Sequence, residues 1–225
     1  MARKHHPTWT PAEADLAVAA ALGGPAAYLP LDGGWGYVRG EVVGPRSPVL
    51  DLVQAVYEAR PERARALLRQ RIRATALAPF DADVVKVAAK RVSLVVAPPG
   101  GAVDGLVDLA PFAERARART GGVVGGVVAT LYDPDGVELL TARNAASENR
   151  TLHAEVALAQ GWWARTGQPI PAGARIETSL QCCRMCASVL VAAAAGPLDV
   201  VYAEPDPGPF ARGTALQRLG WERRR

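Results

Sequence analysis

All three cysteines of the chain lie within five residues, and one of its three histidines precedes a glutamate by two positions. The cysteines are Cys182, Cys183 and Cys186, and the histidine and glutamate are His153 and Glu155. Clustered cysteines argue against a disulfide framework, which needs spread-out pairs, and favour a metal site or a catalytic site. The resulting motifs, H-x-E and C-x-x-C, supply the imidazole, thiolate and carboxylate groups that zinc sites use.

The surrounding pattern predicts where these motifs lie. The segment ARIETSL (174–180) predicts a strand, and CCRMCASVLVAAAAG (182–196) predicts an apolar helix that follows it. Cys183 and Cys186 would then share the first helical turn, where the helix dipole stabilises thiolates. His153 begins the preceding predicted helix, which Gly167 closes. Because such helices start at the same sheet edge, we expect the imidazole and both thiolates to converge.

Three protein ligands leave the fourth tetrahedral position of zinc open, which is typical of catalytic sites. We expect the Glu155 carboxylate to lie close to the metal without binding it, able to take a proton from water and return it to a substrate. The alternative is a closed structural site in which Cys182 is a fourth ligand. Successive side chains diverge, which argues against Cys182 and Cys183 binding one ion.

The second half of the chain alternates between strand and helix patterns. A helix at PFAERARAR (111–119), a hairpin through GGVVGGVVATLYDPDGVELLTARN (121–144), a strand at DVVYAE (199–204) and a last helix at TALQRLGW (214–221) complete it. Alternating strands and helices predict a three-layer α/β/α sandwich with a mixed central sheet. No internal sequence repeat is evident.

The first half, residues 1–103, is predicted to be an accessory α+β domain of unknown role, and residues 104–225 the domain that carries the chemistry. A short helix is predicted from residue 10 to about 22, because a threonine, a proline and a glutamate there form an N-terminal capping pattern. Short strands are expected around Tyr37-Val38 and Val42-Val43. A long helix is expected from Ser47 to Leu77, with a possible break at Pro61, and residues 84–96 are predicted to be a helix or a helix that passes into a strand.

The bulk composition excludes some classes of protein. The chain has 225 residues, is 49% hydrophobic and has a formal net charge of +4. No run approaches the ~20 apolar residues of a membrane span, and no signal peptide is evident, so a cytoplasmic location without membrane contact is predicted. A basic balance is compatible with nucleic acid as a partner.

Residues from about 105 to the end resemble the zinc-dependent cytidine/deoxycytidylate deaminase superfamily. They are most similar to its branch of bacterial tRNA adenosine deaminases and other nucleic-acid deaminases. The resemblance is carried by HAE (153–155), CRMCA (183–187), the hairpin segment and VVYAEPDPGPFARG (200–213). The combination of H-x-E with a later P-C-x-x-C is the signature of zinc deaminases.

The resemblance implies Zn²⁺ held by His153, Cys183 and Cys186, with Glu155 as the proton shuttle, and it implies that Asn144 contacts the target base. The implied activity is that of a hydrolase acting on a cyclic amidine C–N bond, converting cytosine to uracil or adenine to hypoxanthine in single-stranded or flipped-out DNA or RNA. Related enzymes commonly self-associate, so a homo-oligomer is possible. The alternatives are a deaminase of a free nucleoside, nucleotide or small heterocycle, and a non-catalytic structural-zinc module that binds nucleic acid.

Two positions depart from the family pattern. The usual E-P-C is replaced by Gln181-Cys182-Cys183, and Leu152 precedes the histidine where adenosine deaminases often carry a smaller residue, which would narrow the pocket. Arg184, beside the ligands, and Arg212, in the loop after the fourth strand, are the cations best placed to meet a substrate phosphate. A run of arginines in residues 60–73 is either a solvated helix face or a second phosphate-contacting surface.

Overall fold

The computed structural model describes residues 22, 24–31, 34–90, 94–96, 105–118 and 126–225. The predicted helix from residue 10 and most of the predicted connector at 97–105 lie outside these residues. The described part contains two five-stranded sheets with helices between them.

The N-terminal sheet has the strand order β4-β3-β1-β2-β5. Strand β1 pairs antiparallel with β2 and β3, whereas β3 pairs parallel with β4 and β2 pairs parallel with β5. The strands are β1 (Ala26–Leu31), β2 (Gly34–Arg39), β3 (Ile72–Ala74), β4 (Leu94–Val96) and β5 (Leu106–Asp108). The helices of this half are α1 (Pro48–Ala59), α2 (Ala64–Leu68), α3 (Asp81–Ala89) and α4 (Ala110–Ala118).

Helix α1 is the central helix of the N-terminal half. The Ser47 side chain caps it by accepting a hydrogen bond from the Leu50 amide, and Pro48 occupies the first helical position, where no amide donor is needed. Every residue from Pro48 to Tyr57 is buried. One face packs on the N-terminal sheet and another against α4, so α1 lies in the interior of the molecule.

For the helix predicted from Ser47 to Leu77, the possible break at Pro61 is confirmed, but the extension beyond Leu68 is wrong. Helix α1 ends at Ala59, next to Arg60 and Pro61, because a residue before proline is disfavoured in helical conformation. Ile72, predicted to be helical, lies in β3, where pairing with β1 and β4 outweighs local helix propensity. The strand expected at Val42-Val43 is also wrong, because only an isolated bridge from Val43 to Arg46 forms there. Of the two alternatives for residues 84–96, a helix that passes into a strand is confirmed as α3 and β4.

The C-terminal sheet has the order β10-β9-β8-β6-β7 and is mixed, as predicted. Strand β6 pairs antiparallel with β7 and β8, whereas β8, β9 and β10 are parallel. Its strands are β6 (Val128–Tyr132), β7 (Glu138–Arg143), β8 (Arg175–Leu180), β9 (Asp199–Glu204) and β10 (Glu222–Arg224), of which β10 was not predicted. The helices are α5 (Ala154–Thr166), α6 (Arg184–Ala193) and α7 (Ala215–Leu219), with a 3₁₀ turn at Pro209–Ala211.

The strands of this sheet alternate between buried and partly exposed side chains, so one face packs on α5 and α6. The buried set includes Ala129, Leu131, Leu140, Ala142 and Ile176. Gly167 ends α5 in the left-handed region (φ 63°), which favours glycine and confirms the predicted helix end. The α/β class and the mixed sheet follow from this period-2 pattern between helical segments.

One continuous hydrophobic core joins the two halves, and it contains buried residues from Ala27 to Leu216. Strand β5 and helix α4 follow the predicted boundary at residues 103/104, yet β5 pairs with β2 and α4 packs on α1. Among the described helices, none is both long and apolar enough to cross a membrane.

Candidate metal and catalytic site

Two helix starts meet at one end of the C-terminal sheet. His153 is the residue that caps α5, and Cys183 caps α6; both have extended backbones, and neither side chain bonds to an amide of its own helix. Strand β8 ends at Leu180, and Cys186 is the third residue of α6. The predicted placement of both thiols at the first helical turn is therefore confirmed, and the three side chains are free to turn toward each other.

The three candidate ligand atoms form a tight triangle. His153 Nδ1 lies 3.6 Å from Cys183 Sγ and 3.4 Å from Cys186 Sγ, and the two sulfurs are 3.5 Å apart. Tetrahedral zinc with Zn–S of about 2.3 Å and Zn–N of about 2.0 Å separates such ligand atoms by roughly 3.5–3.8 Å. The residues present therefore fit a zinc ion in both chemistry and spacing, and within the described ranges they form the one such metal-ligand group.

The electrostatics of the triangle favour a thiolate at Cys183. Hydrogen bonding from the Cys186 thiol and from His153 lowers the pKa of Cys183 well below its usual range despite its burial. Burial lowers the pKa of the His153 imidazole, but its contact with Cys183 and the nearby acidic groups outweigh burial and raise that pKa. The α6 N-terminus adds a positive dipole end at the same place. A thiolate beside an imidazole is the donor pair that a soft divalent cation prefers.

Glu155 lies in the first turn of α5, with only 3% of its surface exposed. Its Oε1 lies 3.2 Å from Thr178 Oγ1, which is also 2.9 Å from the Leu180 carbonyl, so the carboxylate lies against a hydroxyl group of β8. Burial is the main reason that the pKa of Glu155 is raised above its usual value. A raised pKa makes a carboxylate a better proton acceptor than a free one, which suits a general acid–base group.

Cys182 is buried but does not join the triangle. Its Sγ lies 3.7 Å from Glu155 Oε1, and its amide donates to Glu222 Oε1 at 3.2 Å. Burial raises the pKa of this thiol well above its usual range, so Cys182 stays neutral. The metal-ligand group contains His153, Cys183 and Cys186 without Cys182, which supports the open arrangement over the closed four-ligand alternative.

A small cavity opens beside the triangle and Glu155. Asn144, from the end of β7, lines it together with Val127, Leu180 and Gln181. The Asn144 Oδ1 accepts a hydrogen bond from the Ala146 amide at 2.8 Å, so this side chain also stabilises a turn. Leu152, expected to narrow the pocket, is buried and is not among the cavity-lining residues.

The two arginines expected to meet phosphate lie outside this cavity. Arg184 donates from Nε to the Arg212 carbonyl at 2.9 Å and lines a separate surface depression with Asp83 and Arg218. Arg212 is exposed in the loop after β9. Both arginines therefore lie near the start of α6 and do not line the cavity beside Glu155. Their role in phosphate binding stays a prediction.

Sequence reasoning missed two polar residues of the site. Thr178 contacts Glu155, and its inward position in β8 follows from strand alternation, so a signal existed. Asp206 lines the cavity from the loop after β9 and is among the acidic groups that raise the pKa of His153. No local pattern marks Asp206, because a loop residue reaches the site only through the fold.

In the C-terminal half, a mixed sheet carries helices α5 and α6, which begin with a histidine, a C-x-x-C pair and a buried glutamate. This arrangement defines a deaminase domain of the cytidine deaminase-like superfamily. In agreement, residues 122–225 match the family model described as Bd3614-like deaminase. That match spans slightly less than half of the 225-residue chain. No curated protein sequence matches the chain.

The solved structures that are similar to this chain include one that it matches over part of its length. It is described in a study of A-to-I editing by tRNA:A34 deaminases at the wobble position of transfer RNA. The two sequences are 30% identical over 40% of this chain and 62% of that chain, with a TM-score of 0.33. This chain therefore spans less than two thirds of that relative, and the fold assignment depends on the family match and on the topology described above.

Proposed function

We propose that the C-terminal half catalyses the zinc-dependent hydrolytic deamination of a nucleobase, cytosine to uracil or adenine to hypoxanthine, within single-stranded or flipped-out nucleic acid. The observation that carries the proposal is the triangle of His153 Nδ1, Cys183 Sγ and Cys186 Sγ, next to the buried Glu155 carboxylate on one cavity. Three ligand atoms with a neighbouring acid are the arrangement of a catalytic site rather than a structural one.

The reaction adds water to the ring carbon that carries the exocyclic amine and releases ammonia. When bound, zinc supplies a hydroxide nucleophile at neutral pH by lowering the pKa of water to about 7. The Glu155 carboxylate accepts the water proton and delivers it to the ring nitrogen. Glu155 then takes the remaining proton of the newly added hydroxyl group and delivers it to the amine, so that the C–N bond breaks, ammonia leaves and a carbonyl remains on the ring. Thr178 places a hydroxyl group beside Oε1, because this residue lies in β8.

The preference for a polymeric substrate rests on charge and on shape. The chain is basic, with a net charge of +4, and Arg184, the first residue of α6 after Cys183, donates a hydrogen bond to the Arg212 carbonyl. The cavity itself is lined by Asn144 and Asp206 and by no lysine or arginine. Such a site would take a base into the cavity and leave its phosphates outside, near the arginines.

The first test replaces the proposed proton carrier. Glu155→Gln keeps the size of the side chain and removes its basicity, so the variant should retain one zinc per chain while ammonia release falls by at least 10³-fold. The substrate is found by expressing the wild type and sequencing cellular DNA and RNA for C-to-T or A-to-G changes. Changes that persist with Glu155→Gln would contradict the mechanism.

The second test separates polymer from mononucleotide. A single-stranded oligonucleotide should compete with a free nucleotide for the site, and its turnover should fall steeply as salt is raised from 50 to 200 mM, because phosphate contacts release counterions. Salt-independent turnover of nucleosides would favour the small-molecule alternative. X-ray absorption that finds four protein ligands and no light oxygen around zinc would favour a structural module.

A further inference from the structure

We infer that the N-terminal half is a second copy of the deaminase fold that has lost its metal site and now supports the catalytic half. The inference rests on topology and contacts rather than on the proposed reaction. Its tests therefore measure metal content and folding instead of ammonia.

The two halves share one order of strands and main helices, and the short helix α2, between α1 and β3, is an addition in the N-terminal half. In each half an antiparallel hairpin is followed by a helix, a strand antiparallel to the first hairpin strand, a second helix, and a strand parallel to the third. The N-terminal series β1, β2, α1, β3, α3, β4 corresponds to β6, β7, α5, β8, α6, β9. The sheet orders β4-β3-β1-β2 and β9-β8-β6-β7 are then the same. Five connections that agree in order and direction are far more specific than a shared fold class.

The strand registers also agree. Ala26 pairs with Arg39 at the open end of the first hairpin, and Val128 pairs with Arg143 at the open end of the second. Within this alignment, four positions hold the same residue in both halves. Three of these four pairs are buried in both halves. The identical pairs are Ala27 and Ala129, Leu29 and Leu131, Arg39 and Arg143, and Ile72 and Ile176.

The equivalent of the metal site is closed by a hydrogen bond. Ser47 caps α1 as His153 caps α5, and Val49 takes the place of Glu155 two residues later. The Ser47 hydroxyl donates to Asp81 Oδ1 at 2.5 Å, and Asp81 is the first residue of α3. The Ser47–Asp81 hydrogen bond thus joins the starts of α1 and α3, as the triangle joins α5 and α6. Residues 7–152 contain neither histidine nor cysteine, so neither this sheet nor its helices offer an imidazole or a thiolate to zinc.

Equivalent helices of the two halves meet in the core. Gln54 follows the cap of α1 by seven residues, and Gln160 follows the cap of α5 by seven residues. The two buried amides exchange hydrogen bonds, with Gln54 Nε2 at 3.0 Å from Gln160 Oε1 and Gln160 Nε2 at 3.4 Å from Gln54 Oε1. Helix α3 likewise contacts its equivalent α6, where Ser188 donates to Asp83 at 3.0 Å. Reciprocal contact between equivalent residues is the mark of an isologous interface between two copies.

This interface reaches the catalytic site through Asn149. Asn149 is fully buried, its Nδ2 donates to the Gln54 carbonyl of α1, and its Oδ1 accepts from the amide and hydroxyl of Thr151. The loop that Asn149 organises runs from Asn144, at the cavity, to His153, at the triangle. Asn149 is therefore a positioning residue, and α1 is the fixed surface against which the loop is held.

The first experiment counts metal. Zinc-reconstituted wild type should hold one zinc per chain, as should Ser47→Ala and Asp81→Asn, whereas His153→Ala should hold none. Two zinc ions in the wild type, or loss of zinc in Asp81→Asn with its fold intact by circular dichroism, would overturn the loss of the N-terminal metal site.

The second experiment is a double-mutant cycle on the glutamine pair. Gln54→Leu and Gln160→Leu each leave one buried amide without its partner and should each lower the folding equilibrium constant about tenfold. The double variant leaves no amide unpaired and should lose clearly less than the product of the two. Strictly additive losses would show that the equivalent helices do not meet in this way.

The third experiment tests the support of the site. Asn149→Asp keeps the acceptor for Thr151 but sets a carboxylate oxygen against the Gln54 carbonyl, so zinc transfer to a chelator should become about tenfold faster. The matched control is Asp133→Ala, which removes a side-chain oxygen that accepts two amides in the β6–β7 turn, away from the site. Equal zinc release from the wild type and both variants would overturn the positioning role.

Discussion

Cys182 stands where the deaminase family usually has a proline, directly before the first thiolate. Proline has no amide donor, whereas the Cys182 amide donates to Glu222 in the last strand, β10. Its side chain fills buried space beneath Glu155 and remains a neutral thiol, because burial raises its pKa. The substitution therefore exchanges a rigid backbone for a hydrogen bond to β10 and leaves the spacing of the ligands unchanged.

Cys182→Ala and Cys183→Ala are consequently expected to differ in metal content. Cys182→Ala should keep one zinc per chain and lose about 1 kcal/mol of stability, because only a small buried side chain is truncated. Cys183→Ala removes a ligand atom and should lose zinc. Metal analysis after dialysis distinguishes the two, and loss of zinc from Cys182→Ala would instead favour the closed four-ligand site.

Much of the candidate site could be predicted at this scale. His153, Glu155, Cys183 and Cys186 occupy two short motifs, and each motif begins a helix whose cap and end are marked in the local sequence. Thr178 could have been found from strand alternation. Asp206 and Asn149 could not, since the first reaches the cavity from a loop and the second is defined by a partner 95 residues earlier in the chain.

At the scale of elements, α1 and α4 are joined by a buried ion pair. Asp51 is 1% exposed and lies 2.8 Å from Arg117 of α4, with Arg46 at 3.4 Å on its other oxygen. Removing one partner of a buried pair leaves the other charge without compensation, and this usually costs more than the intact pair contributes.

Asp51→Asn should therefore lower the free energy of unfolding by about 3 kcal/mol. The matched control is Asp199→Asn, which breaks an exposed pair with Arg223 of the same 2.8 Å separation and should leave the urea midpoint unchanged. Urea unfolding followed by tryptophan fluorescence measures both. Equal effects of the two variants would show that Asp51 is solvated.

The elements of the C-terminal half were predictable because strand and helix patterns there are long and bounded by turns. The N-terminal half was not, for two physical reasons. Strands β3, β4 and β5 have three residues each, which is too short for a period-2 pattern, and they exist because β1, β2 and β3 pair with them. The arginine-rich segment after α1 contains good helix formers, yet its last part, from Ile72, pairs with neighbouring strands as β3 instead.

For the whole molecule, Asp81 makes stability depend on pH. Burial raises the pKa of Asp81 from 3.8 to about 6, although Ser47 and the Ala78 amide bond to it, and the neighbouring Asp51 adds to the rise. The native state then holds this proton more tightly than the unfolded chain. Stability from Asp81 is fully present below about pH 4 and is lost as the pH rises through about 6.

The expected size of this loss is about 3 kcal/mol, since a shift of one pKa unit corresponds to about 1.4 kcal/mol. Asp81→Asn cannot ionise, so the difference in unfolding free energy between wild type and variant isolates the effect from other titrating groups. The difference should move in favour of the variant between pH 4 and pH 7 in urea titrations. A constant difference across that range would contradict a buried, protonatable Asp81.

Strand β5 and helix α4 have a practical consequence for recombinant fragments. A fragment that begins at residue 104 would carry both elements without β2 and α1, the surfaces on which they are built, and would leave Arg117 without Asp51. A fragment that begins at residue 126 would lack β5 and α4 altogether, but it would still expose Gln160 and the neighbouring hydrophobic core to solvent. Isolated expression of the C-terminal half is therefore expected to yield insoluble material, and engineering of this protein should keep both halves on one polypeptide.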